Sequence, residues 1–122
     1  MNSFNLYIYN SLNYEINFVS FVDTSPGSSW SVSIKTIPFM AVMKLSALVP
    51  PSNTLQAIIK FCINNIEYDF LVLNKQQKEA GESVFALDIN KMFTSEIIQE
   101  VRNPIYPNIL QIKEAYVQIS AC

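Results

Sequence analysis

The chain has 122 residues, half of them hydrophobic and 15% charged, with a formal net charge of −2 and no histidine. That length suits a single domain, residues 1–122, and so little charge excludes an intrinsically disordered chain. The eight Lys and Arg are scattered, which argues against a nucleic-acid partner, and none falls in the first 34 residues, where a secretory leader would need them.

The first segments alternate with period two, the mark of half-buried strands. Phe4, Leu6 and Ile8 share one face, with Tyr7 and Tyr9 on the other. After a turn region over Asn10–Asn13, Tyr14, Ile16 and Phe18 repeat the pattern, so the spacing predicts an N-terminal hairpin. Asp23–Ser28 is loop chemistry around Pro26-Gly27. Trp30, Val32 and Ile34 then alternate with serines, and Trp30 is expected in the core.

The longest apolar run, Ile37–Val49, spans 13 residues and contains Lys44. It is too short to cross a bilayer, so no transmembrane segment is expected and an intracellular protein is favoured. Its part from residue 39 to 49 fits a helix or a buried strand, and the prolines that bound it favour strand. Leu55 to Ile63 and Ile66 to Val72 alternate on either side of Asn64-Asn65, which predicts a hairpin with a two-residue turn. Residues 74–82 read as an exposed polar loop ending at Gly81, and Val84–Ile89 as a short strand.

Phe93, Ile97 and Val101 recur every four residues and predict a short amphipathic helix, capped by Asp88 or Asn90. In the tail, Leu110 and Ile112 fall on one parity and Ala115, Val117 and Ile119 on the other. That change of phase predicts a bulge near Lys113-Glu114 within a long last strand. Together these elements predict a mainly β domain, an antiparallel β-sandwich or jelly roll of seven or eight strands with one late helix. The alternative is an OB-like barrel with an N-terminal hairpin extension.

The chemistry is bounded mainly by what is missing. Without histidine there is no Ser-His-Asp or Cys-His constellation, and two glycines, Gly27 and Gly81, allow neither a P-loop nor a dinucleotide fingerprint. Glu67 and Asp69 share a strand face, and Lys60 across the hairpin is expected to balance them. No cofactor or metal site and no catalytic residue is expected. Cys62 is expected to be a buried thiol, whereas Cys122, the last residue, is exposed and able to cross-link two molecules under oxidation. Tyr7 and Tyr9 on the outer strand face, and Tyr106 between Pro104 and Pro107, are the candidate contacts with a partner or ligand.

In coarse layout, the run from Phe39 to Leu73 resembles small bacterial proteins that assemble into intracellular crystalline inclusions. FNLYIYN followed by YEINFV resembles the opening of lectin-like and pore-forming β-sandwiches. The first likeness implies self-assembly and the second a ligand face. The expectation is a non-enzymatic structural or interaction module that self-associates into a homo-oligomer or larger assembly. The alternative is a lectin-like sandwich that binds a glycan, or another protein, through exposed aromatics.

Overall fold

A computed structural model of the chain describes residues 1–78, 83–88, 91–104 and 106–122. Ten strands, and no helix among the described residues, form two five-stranded sheets. The strands are β1 (Asn2–Asn10), β2 (Ile16–Thr24), β3 (Ser29–Val32), β4 (Thr36–Ile37), β5 (Val42–Val49), β6 (Leu55–Ile63), β7 (Ile66–Asn74), β8 (Val84–Leu87), β9 (Phe93–Arg102) and β10 (Ile112–Ala121). The front sheet runs β3-β5-β1-β10-β9 and the back sheet β4-β2-β6-β7-β8. Neither sheet closes on itself, so the architecture is sandwich-like and the OB-like barrel is set aside.

The core fills the space between the sheets because each strand turns alternate side chains inward. Leu55, Ala57, Ile59, Phe61 and Ile63 of β6 are all buried, as are Met43, Leu45, Ala47 and Val49 of β5. The ambiguous run from 39 to 49 is therefore strand from Val42 onward. Phe4 stacks on Phe85 with ring centroids 5.0 Å apart, which joins a front strand to a back one. Each buried Val, Leu, Ile, Phe or Met side chain of this core contributes about 1.5–3 kcal/mol.

Several expectations hold. Asn64 and Asn65 both have positive φ, 52° and 63°, as a two-residue hairpin turn requires, and Ile63 pairs with Ile66 across it. The register of β10 shifts between Ile112 and Glu114, leaving Lys113 as the bulged residue. Leu110, Ile112, Ala115, Val117 and Ile119 are consequently all buried despite their change of parity.

Others are corrected. The expected late helix is strand β9, and the count is ten strands rather than seven or eight. Residues four apart share a face in a strand as well as in a helix, so Phe93 and Ile97 carried no information about which it was. A second bulge, at Ile98 opposite Tyr116 and Val117, then brings Val101 out of phase. With no helix, Asp88 caps nothing, and Gly81, Ile89 and Asn90 lie outside the described residues. The N-terminal hairpin is absent too: β1 belongs to the front sheet and β2 to the back. Among the described residues all strand pairings are antiparallel except one, since β10 lies parallel to β1 with Tyr7 beside Tyr116.

The polar stretch that begins at Asn74 is buried at its start, not exposed. Asn10, Asn74 and Gln76 have no solvent-accessible surface. Asn10 stands where the chain crosses from β1 to β2; its amide donates to Tyr14 O and Ile37 O, both at 2.8 Å, and its oxygen accepts from Leu12 N–H. Asn74 ties β7 to β10, donating to Ile112 O at 2.7 Å and accepting from Ile112 N–H at 3.2 Å. Removing such a partner leaves buried backbone groups unsatisfied, at about 1–3 kcal/mol each. Asn74→Ala is therefore expected to lower stability by about 3 kcal/mol, read as a shift of the urea midpoint with an unchanged slope.

Candidate interaction surface

The outer side of the front sheet is polar and aromatic. Strand parity turns Ser3, Asn5, Tyr7 and Tyr9 outward, beside Lys44 and Ser46 of β5 and Glu114, Tyr116 and Gln118 of β10. The Tyr7 and Tyr116 rings stack with centroids 4.7 Å apart and planes 7° from parallel. Lys44 Nζ lies 5.9 Å from the Tyr7 centroid. Tyr7 therefore has an aromatic neighbour and a cation at its ring, at a cation–π distance. Tyr9 sits one row further on, in register with Val42 and Gln118. Tyr106 is exposed in the β9–β10 connection, where its backbone N–H donates to Gln77 Oε1 at 3.0 Å. Tyr7 and Tyr9 share a surface; Tyr106 belongs to the opposite end of the sheet from Cys122, which is exposed beside Met92.

Tyr116 was the aromatic that sequence reasoning missed. Its alternation in β10 marked it as outward, but only the parallel pairing of the two terminal strands sets it against Tyr7. Toward its lower end the same face dips where small side chains surround Leu48, giving a groove of about 300 Å³. A larger groove of about 480 Å³ lies between the 23–26 and 52–56 segments, lined by Asp23 and by hydroxyl and amide side chains.

The outer side of the back sheet is different. Ile58, Leu71, Leu73, Val84 and Ala86 sit at outward positions on three neighbouring strands, where Ile58 pairs with Leu71, Leu71 with Ala86 and Leu73 with Val84. All five are half-buried. One row along, Lys60 Nζ meets Asp69 Oδ1 at 2.5 Å, the cross-hairpin partner expected for it. That oxygen is sheltered from solvent, and the ammonium satisfies it. The hydrogen bond to Asp69, with the acidic neighbours behind it, holds the Lys60 ammonium above its usual pKa. Glu67 and Asp69 do share a face, but Asp69 is committed to this pair. Cys62 is half-buried on the same outward side, opposite Glu67, rather than buried in the core.

The strand edges are blunted. β3 has four residues, β4 two and β8 four. The long edges are bulged instead: β2 shifts register around Val19 and again around Val22, and β9 at Ile98. Short and bulged edges resist pairing with another chain. No helix of the described residues is long and apolar enough to cross a membrane.

Tyr116 donates its hydroxyl to Glu114 Oε2 at 3.1 Å, and this bond, with partial desolvation, raises its pKa above the ordinary tyrosine value. A raised folded pKa means the stabilisation is complete at pH values below the unfolded tyrosine's and is lost as pH rises through the folded value. Glu114→Gln is expected to move the Tyr116 ring titration, followed by NMR, toward lower pH. An unmoved titration would show that Glu114 does not hold the hydroxyl. No known protein family, curated protein or solved structure matches the chain, and the surfaces described above are what bears on its function.

Proposed function

We propose that the chain is a non-enzymatic structural or interaction module that associates with copies of itself. The observation that carries this reading is the block of Ile58, Leu71, Leu73, Val84 and Ala86 on the outward side of the back sheet. Neighbouring apolar side chains left on the solvent side of a sheet support a contact surface there. A second copy is the simplest occupant, because a two-fold axis sets the same apolar patch of each copy against the other. The blunted edges support a contact through faces over one through strand addition.

The glycan-binding alternative draws less support. Stacking on a sugar needs an open ring face, and Tyr7 is flanked by Tyr116 and Lys44. Use of Glu67 and Asp69 as the carboxylate pair of a glycoside hydrolase has less support again, since Asp69 is held by Lys60.

Light scattering across a wide concentration range, with and without reductant, tests the proposal. The expected result is a mass above that of one chain that survives reduction, and that Leu71→Glu lowers at constant concentration without loss of the β circular-dichroism signal. A single-chain mass at every concentration would overturn self-association. Association lost on reduction would transfer it to Cys122.

A further inference from the structure

The end of the sandwich that carries the β6–β7 hairpin tip holds a hollow of about 310 Å³. Three segments meet there. The β1–β2 connection brings Asn13, Tyr14 and Glu15, while Asn17 of β2 and Cys62 of β6 stand in register behind them. The hairpin tip adds Asn64 and Asn65. Tyr14 shares the parity of the inward Ile16 but precedes β2, so no strand carries it into the core and it stays 43% exposed. Its ring meets Phe93 at 74°, and among the described residues no ring lies parallel on it as Tyr116 lies on Tyr7.

This lining is fixed from behind and open in front. The buried Asn10 amide holds Tyr14 O at 2.8 Å, and the left-handed φ of Asn64 and Asn65 sets the tip. Thr36 Oγ1 donates to Asn17 Oδ1 at 2.9 Å, which orients that amide. The side chains of Asn13, Glu15, Asn64 and Asn65, by contrast, have no hydrogen-bond partner among the described residues. The larger groove differs, because its polar groups already hold its two loops together: Gln56 N–H donates to Ser25 Oγ, and Asn53 donates to Pro26 O.

The chemistry of the lining selects a ligand. Each amide offers a donor and an acceptor on one stem, which matches neighbouring hydroxyls that also do both. Glu15 is the only charged side chain in the lining and accepts alone. With no Lys or Arg beside it, a phosphate or carboxylate would find no counter-charge. One carboxylate is too few for calcium, and no group of three His, Cys, Asp or Glu among the described residues is placed to hold a metal. The Tyr14 ring supplies apolar surface for the C–H face of a sugar ring. The volume falls at the lower end of ligand pockets and suits one ring.

We infer that this hollow binds a neutral pyranose sugar through the amides of Asn13, Asn64 and Asn65, the Glu15 carboxylate and the Tyr14 ring. The inference goes beyond self-association and does not rest on it. Cys62 lies four residues from Ile58 along β6, roughly 13 Å, with the Lys60–Asp69 pair between them. Hollow and apolar block are therefore separate surfaces.

The test is NMR of the full chain titrated with glucose, galactose, mannose and N-acetylglucosamine, and separately with glucuronate and with calcium chloride. Saturable shifts confined to the Asn13, Asn64 and Asn65 amides and the Tyr14 ring are expected with at least one neutral sugar, and none with glucuronate. Asn65→Gly keeps the left-handed turn but removes an amide, and is expected to weaken that binding about tenfold. Glu15→Gln is expected to admit glucuronate. In a Cys122→Ser chain, the same sugar is expected to slow alkylation of Cys62 by iodoacetamide. Absence of localised shifts with all four neutral sugars overturns the site and leaves its amides as solvated turn surface. Shifts with calcium chloride and not with sugars overturn it in favour of a cation. Undiminished binding in both Asn65→Gly and Tyr14→Ala overturns the assignment to this hollow.

Discussion

The parallel pairing of β1 with β10 is the constraint on which the rest of the fold depends. Asn5 to Asn10 lie against Glu114 to Ile119, so the two ends of the chain meet in the middle of the front sheet. With the terminal strands central, the edges fall to segments from inside the sequence, namely β3 and β9 in front and β4, β2 and β8 behind. Each of these is short or bulged. A parallel pair of this kind is not a local contact, because closing a loop of about a hundred residues costs chain entropy before the pairing repays it. The Tyr7–Tyr116 stack sits on this pairing, and aromatic pairs contribute about 0.5–1.5 kcal/mol beyond the area they bury.

Crossing between sheets raises a second problem, which buried amides solve. Each crossing strands backbone groups that no ladder can satisfy. Asn10 answers three of them where β1 leaves the front sheet, and Asn74 answers the backbone N–H and C=O of Ile112 where β7 ends. Gln76 does the same near Asn53, whose carbonyl accepts from its amide. An amide offers both donor and acceptor on a short stem, so one side chain serves a C=O and an N–H together. Asparagine also takes most of the left-handed turn positions in a chain with only two glycines. Much of this fold's irregular geometry is written in Asn.

How far the sequence disclosed this depends on whether each signal was local. The hairpin across Asn64-Asn65 was legible because its turn chemistry and its alternation both lie within twenty residues. The bulge at Lys113 was legible because it leaves a change of parity in one strand. The helix expected near Phe93 failed because a four-residue spacing is common to both periodicities, and the bulge at Ile98 that moves Val101 to the other face leaves no mark in that spacing. The N-terminal hairpin failed because alternation tells which residues face inward and nothing about which sheet they face from. Asn74 and Gln76 resembled surface residues by type, and only their distant partners bury them. Of the candidate contacts, Tyr7 and Tyr9 were placed on the correct face, but the neighbours at the Tyr7 ring come from β5 and β10.

Edges and faces are managed oppositely here, and that contrast is the strongest physical argument for specific association. Open strand edges are indiscriminate, since any chain in extended form can add to them. This protein shortens or bulges every edge and so gives up the least selective route to assembly. Apolar side chains remain half-buried on the outward side of β6, β7 and β8, and Phe39 and Met40 are exposed at the turn before β5. A chain under pressure only to stay monomeric would carry charge at these places, as it has charge to place: Lys60, Glu67 and Asp69 stand one or two rows from the apolar block. The apolar block with charge at its margin is the arrangement on which the proposed self-association rests, since contacts between proteins commonly set an apolar centre within a polar rim.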